Sequence, residues 1–140
     1  MNLLLENIWI GLGTGLVAGL VTGMYSGLIV SRVMRFNSLR SEALRAFNSV
    51  EYIYNSDNQL KVKRNNLPST ALIAAEFFHF GHKAAGECLL LHVRNVEFAM
   101  LAAENGQGPY EDFESALSES QKAIRAIAPS KRILIPYGKI

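Results

Sequence analysis

Hydrophobic and polar positions divide this chain unevenly. From Ile8 to Val30 there are 23 residues without a charge, and beyond them apolar residues return at threes and fours among polar ones. A helix over the first stretch is about 34 Å long, enough to cross a hydrocarbon layer of about 30 Å. The second pattern predicts amphipathic helices that pack on one another. The expected fold class is all-α: one N-terminal transmembrane helix (8–30) behind a short N-terminus (1–7), then a small cytoplasmic domain of three or four helices.

Within the polar part, Phe36, Leu39, Ala43, Phe47, Val50 and Tyr54 lie on one helical face, and no Gly or Pro interrupts the run from Leu28 to Asn55. This spacing predicts that the spanning helix continues as a juxtamembrane rod over 31–55. Asn, Asp, Ser and Pro68 crowd 56–70 and predict a loop, which carries the basic cluster Lys61, Lys63 and Arg64. A helical domain is expected over 71–128, bent or split at Gly81 or Gly86. Its opening stretch, ALIAAEFFHF, is too short to span and contains Glu76, so it is expected at the centre of the core or, as the less favoured reading, as an interfacial segment against the bilayer.

Leu89, Val93, Val96, Met100 and Ala103 form the next apolar face. After a turn at 105–108, Pro109 is placed at the first position of the last helix. Glu111, Asp112 and Glu114 suit the positive end of its dipole. Phe113, Leu117, Ile124 and Ile127 form its apolar face, which Ser120 interrupts. The tail 129–140 is read as an extended strap or a partner-binding peptide, centred on Ile133 to Ile135.

The spanning stretch has an internal period of four: GLGT GLVA GLVT GMYS GLIV. Gly11, Gly15, Gly19, Gly23 and Gly27 form one row, with Thr14, Ala18, Thr22 and Ser26 as a second row of small residues. Leu12, Leu16, Leu20, Met24 and Leu28 form a bulky row. Four residues turn a helix through about 400°, so each row drifts only about 40° per step. A smooth groove results, along which another helix can approach closely with a right-handed crossing. Thr14, Thr22 and Ser26 are candidates for interhelical hydrogen bonds. The expected partner is a second copy or another transmembrane helix. A pore-forming homo-oligomer is the less favoured arrangement, because no charged or strongly polar side chain lies within the span.

Charge orients the segment. All 14 Lys and Arg, and 11 of the 12 acids, lie from Arg32 onward. Arg32, Arg35, Arg40 and Arg45 follow the span, whereas its N-terminal flank holds only Glu6. The positive-inside bias puts the N-terminus outside and the polar domain in the cytoplasm, in an inner or plasma membrane. A cleaved signal peptide is disfavoured, having a basic leader and a shorter apolar run. Trp9, Arg32 and Arg35 are the expected membrane-interface residues, with the arginines reaching toward anionic headgroups.

The remaining chemistry is sparse. Cys88 is the only cysteine, which excludes an internal disulfide. Glu76, His79, His82, Cys88 and His92 are weak metal-ligand candidates, short of the paired Glu-x-x-His motifs of a di-iron bundle. A small membrane-bound enzyme or a metal-dependent sensor built on them is the alternative to a packing subunit. The glycines of GLGTGLVAG lack the preceding strand of a dinucleotide-binding loop. No nucleophile sits beside a recognisable base, and no basic stripe interleaved with aromatics suggests nucleic acid. No cofactor and no small-molecule substrate are expected. The leading expectation is a non-enzymatic membrane assembly or accessory subunit acting through its glycine-rich helix.

Overall fold

The structure is a computed structural model that describes residues 2–54 and 60–131, with side chains described from Trp9 onward except at positions 54 and 60. The loop tip at 55–59 and the tail from position 132 lie outside the described residues, and with them the strap or peptide expected there. Four helices dominate: α1 (Asn2–Asn48), α2 (Thr70–His79), α3 (Lys83–Glu104) and α4 (Tyr110–Ala126). A β-hairpin, β1 (Glu51–Tyr54) and β2 (Leu60–Arg64), and a short 3-10 turn (Leu67–Ser69) link α1 to α2.

α1 is one unbroken helix of 47 residues, as the absence of Gly and Pro after Leu28 implies. From Trp9 to Leu28 its described side chains are exposed. Its second half forms one side of a bundle through Phe36, Leu39, Ala43 and Phe47, all buried. α2 runs back along it, since Asn66 bonds Ser49 near its start and Phe77 meets Phe36 near its end. α3 runs outward again, and α4 returns until the Ile127 carbonyl accepts a bond from Arg40. The four helices therefore alternate in direction, each beside the next, and α4 closes the ring on α1.

The expected rod over 31–55 stops early. α1 ends at Asn48, where the Ser49 amide donates to the carbonyls of Arg45 and Ala46 and its hydroxyl caps Ala46 again. The chain then turns into β1, which pairs antiparallel with β2 in the register Tyr52↔Val62, Ile53↔Lys61. Two corrections follow: 51–54 is a strand rather than helix, and the expected loop over 56–70 contains a strand and a 3-10 turn. Tertiary contacts decide this. Tyr52 stacks edge-on against Phe113 at 5.2 Å, and the Val62 amide donates to Glu104 across 3.2 Å. Alternation puts Lys61 and Lys63 on the exposed side of β2.

The two glycines expected to bend 71–104 do different work. Gly81 ends α2 at φ +77°: its amide donates to the Phe78 carbonyl (3.0 Å) and the next amide, His82, to the Phe77 carbonyl (2.8 Å). This left-handed exit closes the helix and turns the chain sharply into α3. Gly86 lies inside an unbroken α3, where a Cβ would stand 3.0 Å from the Phe78 ring and 3.1 Å from the Ala74 carbonyl. It lets α2 and α3 approach closely. Gly81→Ala has open space but must hold a left-handed backbone. It is expected to cost about 1 kcal/mol and to lower the melting temperature of the bundle by about 5 °C, read by circular dichroism.

The expected faces of α3 and α4 are the buried ones: Leu89, Val93, Val96, Met100 and Ala103 from one, Phe113, Leu117, Ile124 and Ile127 from the other. Ser120, which breaks the apolar pattern, is buried with them and lies 3.2 Å from His92 Nδ1 on the facing helix. Pro109 precedes α4 as its N-cap, one place earlier than expected. ALIAAEFFHF divides: Ala74 and Phe77 enter the core, while Leu72, Phe78 and Phe80 stay exposed.

Candidate helix-packing site

The N-terminal half of α1 is long and apolar enough to cross a membrane, and none of its apolar window is buried. Leu12, Leu16, Leu20, Met24 and Leu28 are exposed along its bulky side. On the other rows, a Cβ built on Gly11, Gly15, Gly19, Gly23 or Gly27 meets nothing within 4 Å. Among the described residues, then, nothing requires these positions to be glycine. Helix propensity disfavours it, by about 1 kcal/mol for each relative to alanine.

The hydroxyls in the second row are already used. Thr14 Oγ1 donates to the Ile10 carbonyl at 2.7 Å, Thr22 Oγ1 to Ala18 at 2.8 Å, and Ser26 Oγ to Gly23 at 3.1 Å. Such back-bonding leaves no unsatisfied donor in an apolar medium. The hydroxyl oxygens can still accept from a neighbour, and the glycine row adds close backbone approach. Ser31, exposed and four residues beyond Gly27, extends the glycine row by one step. The expected boundary at Val30 hid it.

Orientation follows from helix geometry. Gly27 precedes Phe36 by nine residues, about 180° around the helix, and Gly23 lies about 140° from it. Phe36 faces the bundle, so the C-terminal end of the glycine row faces away from it. Among the described residues the bundle leaves that side of α1 clear. Trp9 and Arg32 bracket the apolar length, about 35 Å apart along the axis. Trp9 is exposed; Arg35 pairs with Glu76 and lies over the Phe80 ring at 5.8 Å.

The five weak metal candidates go to different places. Glu76 is engaged by Arg35, and His79 is exposed at the end of α2. His82 is buried against Phe36 (ring centroids 4.8 Å apart), and its Nδ1 accepts the Ser130 amide at 3.3 Å. His92 meets Ser120, and Cys88 is half-buried with its thiol pKa pushed up by burial. Among the described residues no three His, Cys, Asp or Glu side chains converge on a common point.

His82 gives the bundle a pH dependence. Burial holds its pKa below the ordinary imidazole value, so the folded state keeps it neutral. The unfolded chain takes up a proton near about 6.5, and the fold only at lower pH. The unfolded state therefore binds more protons between those values, and stability falls as the pH drops below about 6.5. Melting temperatures at neutral pH and near about pH 5 should differ, and His82→Asn should shrink the difference.

Comparison with protein-family models, with curated proteins and with solved structures returned no match.

Proposed function

We propose that this protein is a non-enzymatic, single-pass membrane assembly or accessory subunit. Its N-terminus lies outside, its helical bundle in the cytoplasm, and its glycine row packs tightly against a second copy or another transmembrane helix. One observation carries the reading: about 20 residues of apolar helix are exposed, and five glycines within them have no neighbour within 4 Å among the described residues. Lipid covers the leucine side without further help. Glycine against lipid gives up contact area and gains nothing, whereas glycine against a helix gains van der Waals contact along two backbones.

The geometry of the bundle supports the same reading. A partner meeting Gly23 and Gly27 approaches from the side that the bundle leaves open. Two copies related by a twofold axis would place their bundles outward, without collision. The test is the native mass of the protein extracted in mild detergent from its own membrane. A dimer, a higher oligomer or a complex with a second membrane protein is expected. A partnerless monomer would sink the proposal.

A further inference from the structure

We propose that the α2–α3 turn is a second membrane contact: Phe80, with Phe78 beside it, enters the headgroup boundary of the leaflet that α1 leaves, with Arg35 over its ring and Lys83 and Lys131 at the same end of the bundle. The inference rests on the reading of α1 as a spanning helix and adds a docking surface on the cytoplasmic bundle. Its occupant is an anionic bilayer surface.

Three observations lead there. The first is direction. α2 runs back toward the span, so its end meets α1 just past the apolar segment. Phe77 lies 5.4 Å from Phe36 between ring centroids, and Arg35 both pairs with Glu76 and covers Phe80. Arg35 is five residues beyond Val30, about 8 Å along the axis, which is headgroup depth for a helix leaving the hydrocarbon at Val30. The second is exposure. Phe80 is 47% exposed and Phe78 39%, beside a tight turn at Gly81, although the core lies directly beneath. Neither ring is left out for want of apolar neighbours.

The third is charge. Lys83 is the first residue of α3, where the helix dipole disfavours a cation, and no acid stands in that first turn. Its i,i+4 pair with Glu87 runs in the weaker order, lysine first, and offsets this only in part. The Ser130 amide bonds His82, which brings exposed Lys131 to the same end. The nearby carboxylates are Glu76, engaged by Arg35, and Glu87, which lies 3.7 Å from Lys83. Cations around exposed aromatic rings match an anionic interface, where rings sit at the acyl boundary and cations reach phosphate. By contrast Lys61, Lys63 and Arg64 lie on the hairpin beyond the end of α1 at Asn48, about 27 Å along the axis from Val30. That distance removes the hairpin from the leaflet.

The test uses the full chain in vesicles of equal parts phosphatidylcholine and phosphatidylglycerol, with some acyl chains brominated next to the glycerol. Trp9→Phe clears the background, and Phe80→Trp places one indole at the turn. Phe98→Trp, at a residue 75% exposed and about 22 Å further along α3, is the control. Flotation with the vesicles reports insertion. The expected result is flotation of both variants, with blue-shifted and bromine-quenched emission at position 80 and neither effect at position 98. Lys83→Glu combined with Lys131→Glu should weaken the quenching at 80 while flotation persists. Flotation with an unquenched indole at 80 would overturn the docking surface and leave the spanning helix standing, and equal quenching at 80 and 98 would overturn it too. Failure to float would overturn both.

Discussion

Gly19→Leu is expected to dissociate the native assembly while leaving the protein folded and in the membrane. Gly19 is the middle glycine of the row, where a crossing helix would come closest. The new side chain meets nothing among the described residues, since the Cβ position has open space to 4 Å. It lies 17 residues before Phe36, about 26 Å along α1, so the bundle does not feel it. Leucine is also a better helix former than glycine and more apolar, which favours both the helix and its insertion. Every effect within one chain therefore points toward stability. Only a helix lying against the glycine row can make the change unfavourable.

Its expected size follows from geometry. A leucine side chain between two backbones in glycine-to-glycine contact forces them apart and strips contact from the steps on either side. Association should weaken by at least about tenfold, equivalent to about 1.4 kcal/mol. Native mass in detergent and crosslinking in the membrane both read this out. Leu20→Gly, one residue away on the bulky side, is the companion change. It should affect assembly far less, because that side is assigned to lipid. An unchanged mass with Gly19→Leu would show that the glycine face is idle.

What could be read in the sequence depended on length and period. The apolar half of α1, the face Leu89 to Ala103 and the face Phe113 to Ile127 run over enough turns for a period near 3.6 to stand out. The hairpin does not. Val50 and Tyr54 continue the spacing of Phe47, while Tyr52 and Tyr54 equally fit an alternation by two. A four-residue strand is too short to separate those readings. What selects the strand is the docking of Tyr52 on Phe113, 61 positions away. The basic alternation in LKVKR, bounded by the polar run NSDNQ, was the available signal.

The candidate site divides in the same way. The glycine row is a pattern of the sequence itself; the structure adds that the helix carries it on to Ser31, exposed one step beyond Gly27. The aromatic turn was not legible, because ALIAAEFFHF lists its residues without saying that α2 folds back along α1. Only that reversal brings Phe80 level with Arg35 and separates its fate from that of Phe77. The histidines are a related case: His82 finds Ser130 across 48 positions and His92 finds Ser120 across 28. Proximity in sequence suggested a cluster, and the bundle sends the two rings to different neighbours.

Phe36→Ala is expected to cause the largest loss of stability of any change considered. Phe36 is 1% exposed and is the first α1 residue wholly inside the bundle. Its ring lies between Phe77 and His82, so it ties the returning end of α2 and the start of α3 to the rod. Truncating a buried phenylalanine costs about 3–5 kcal/mol, a large share of the 5–15 kcal/mol that holds a domain together. The melting temperature should fall by about 15 °C or more. Phe80→Ala, three residues beyond Phe77 but half-exposed, should cost much less. Flotation and the glycine-dependent assembly should survive Phe36→Ala at low temperature, because both are assigned to the other half of the helix. A melt that barely moves would mean that α2, α3 and α4 fold without α1. The rod would then be a tether rather than a wall of the bundle. A melt that collapses while assembly persists would establish that one continuous helix does two separable jobs: its first half selects a neighbour in the membrane, and its second half templates the domain beneath it.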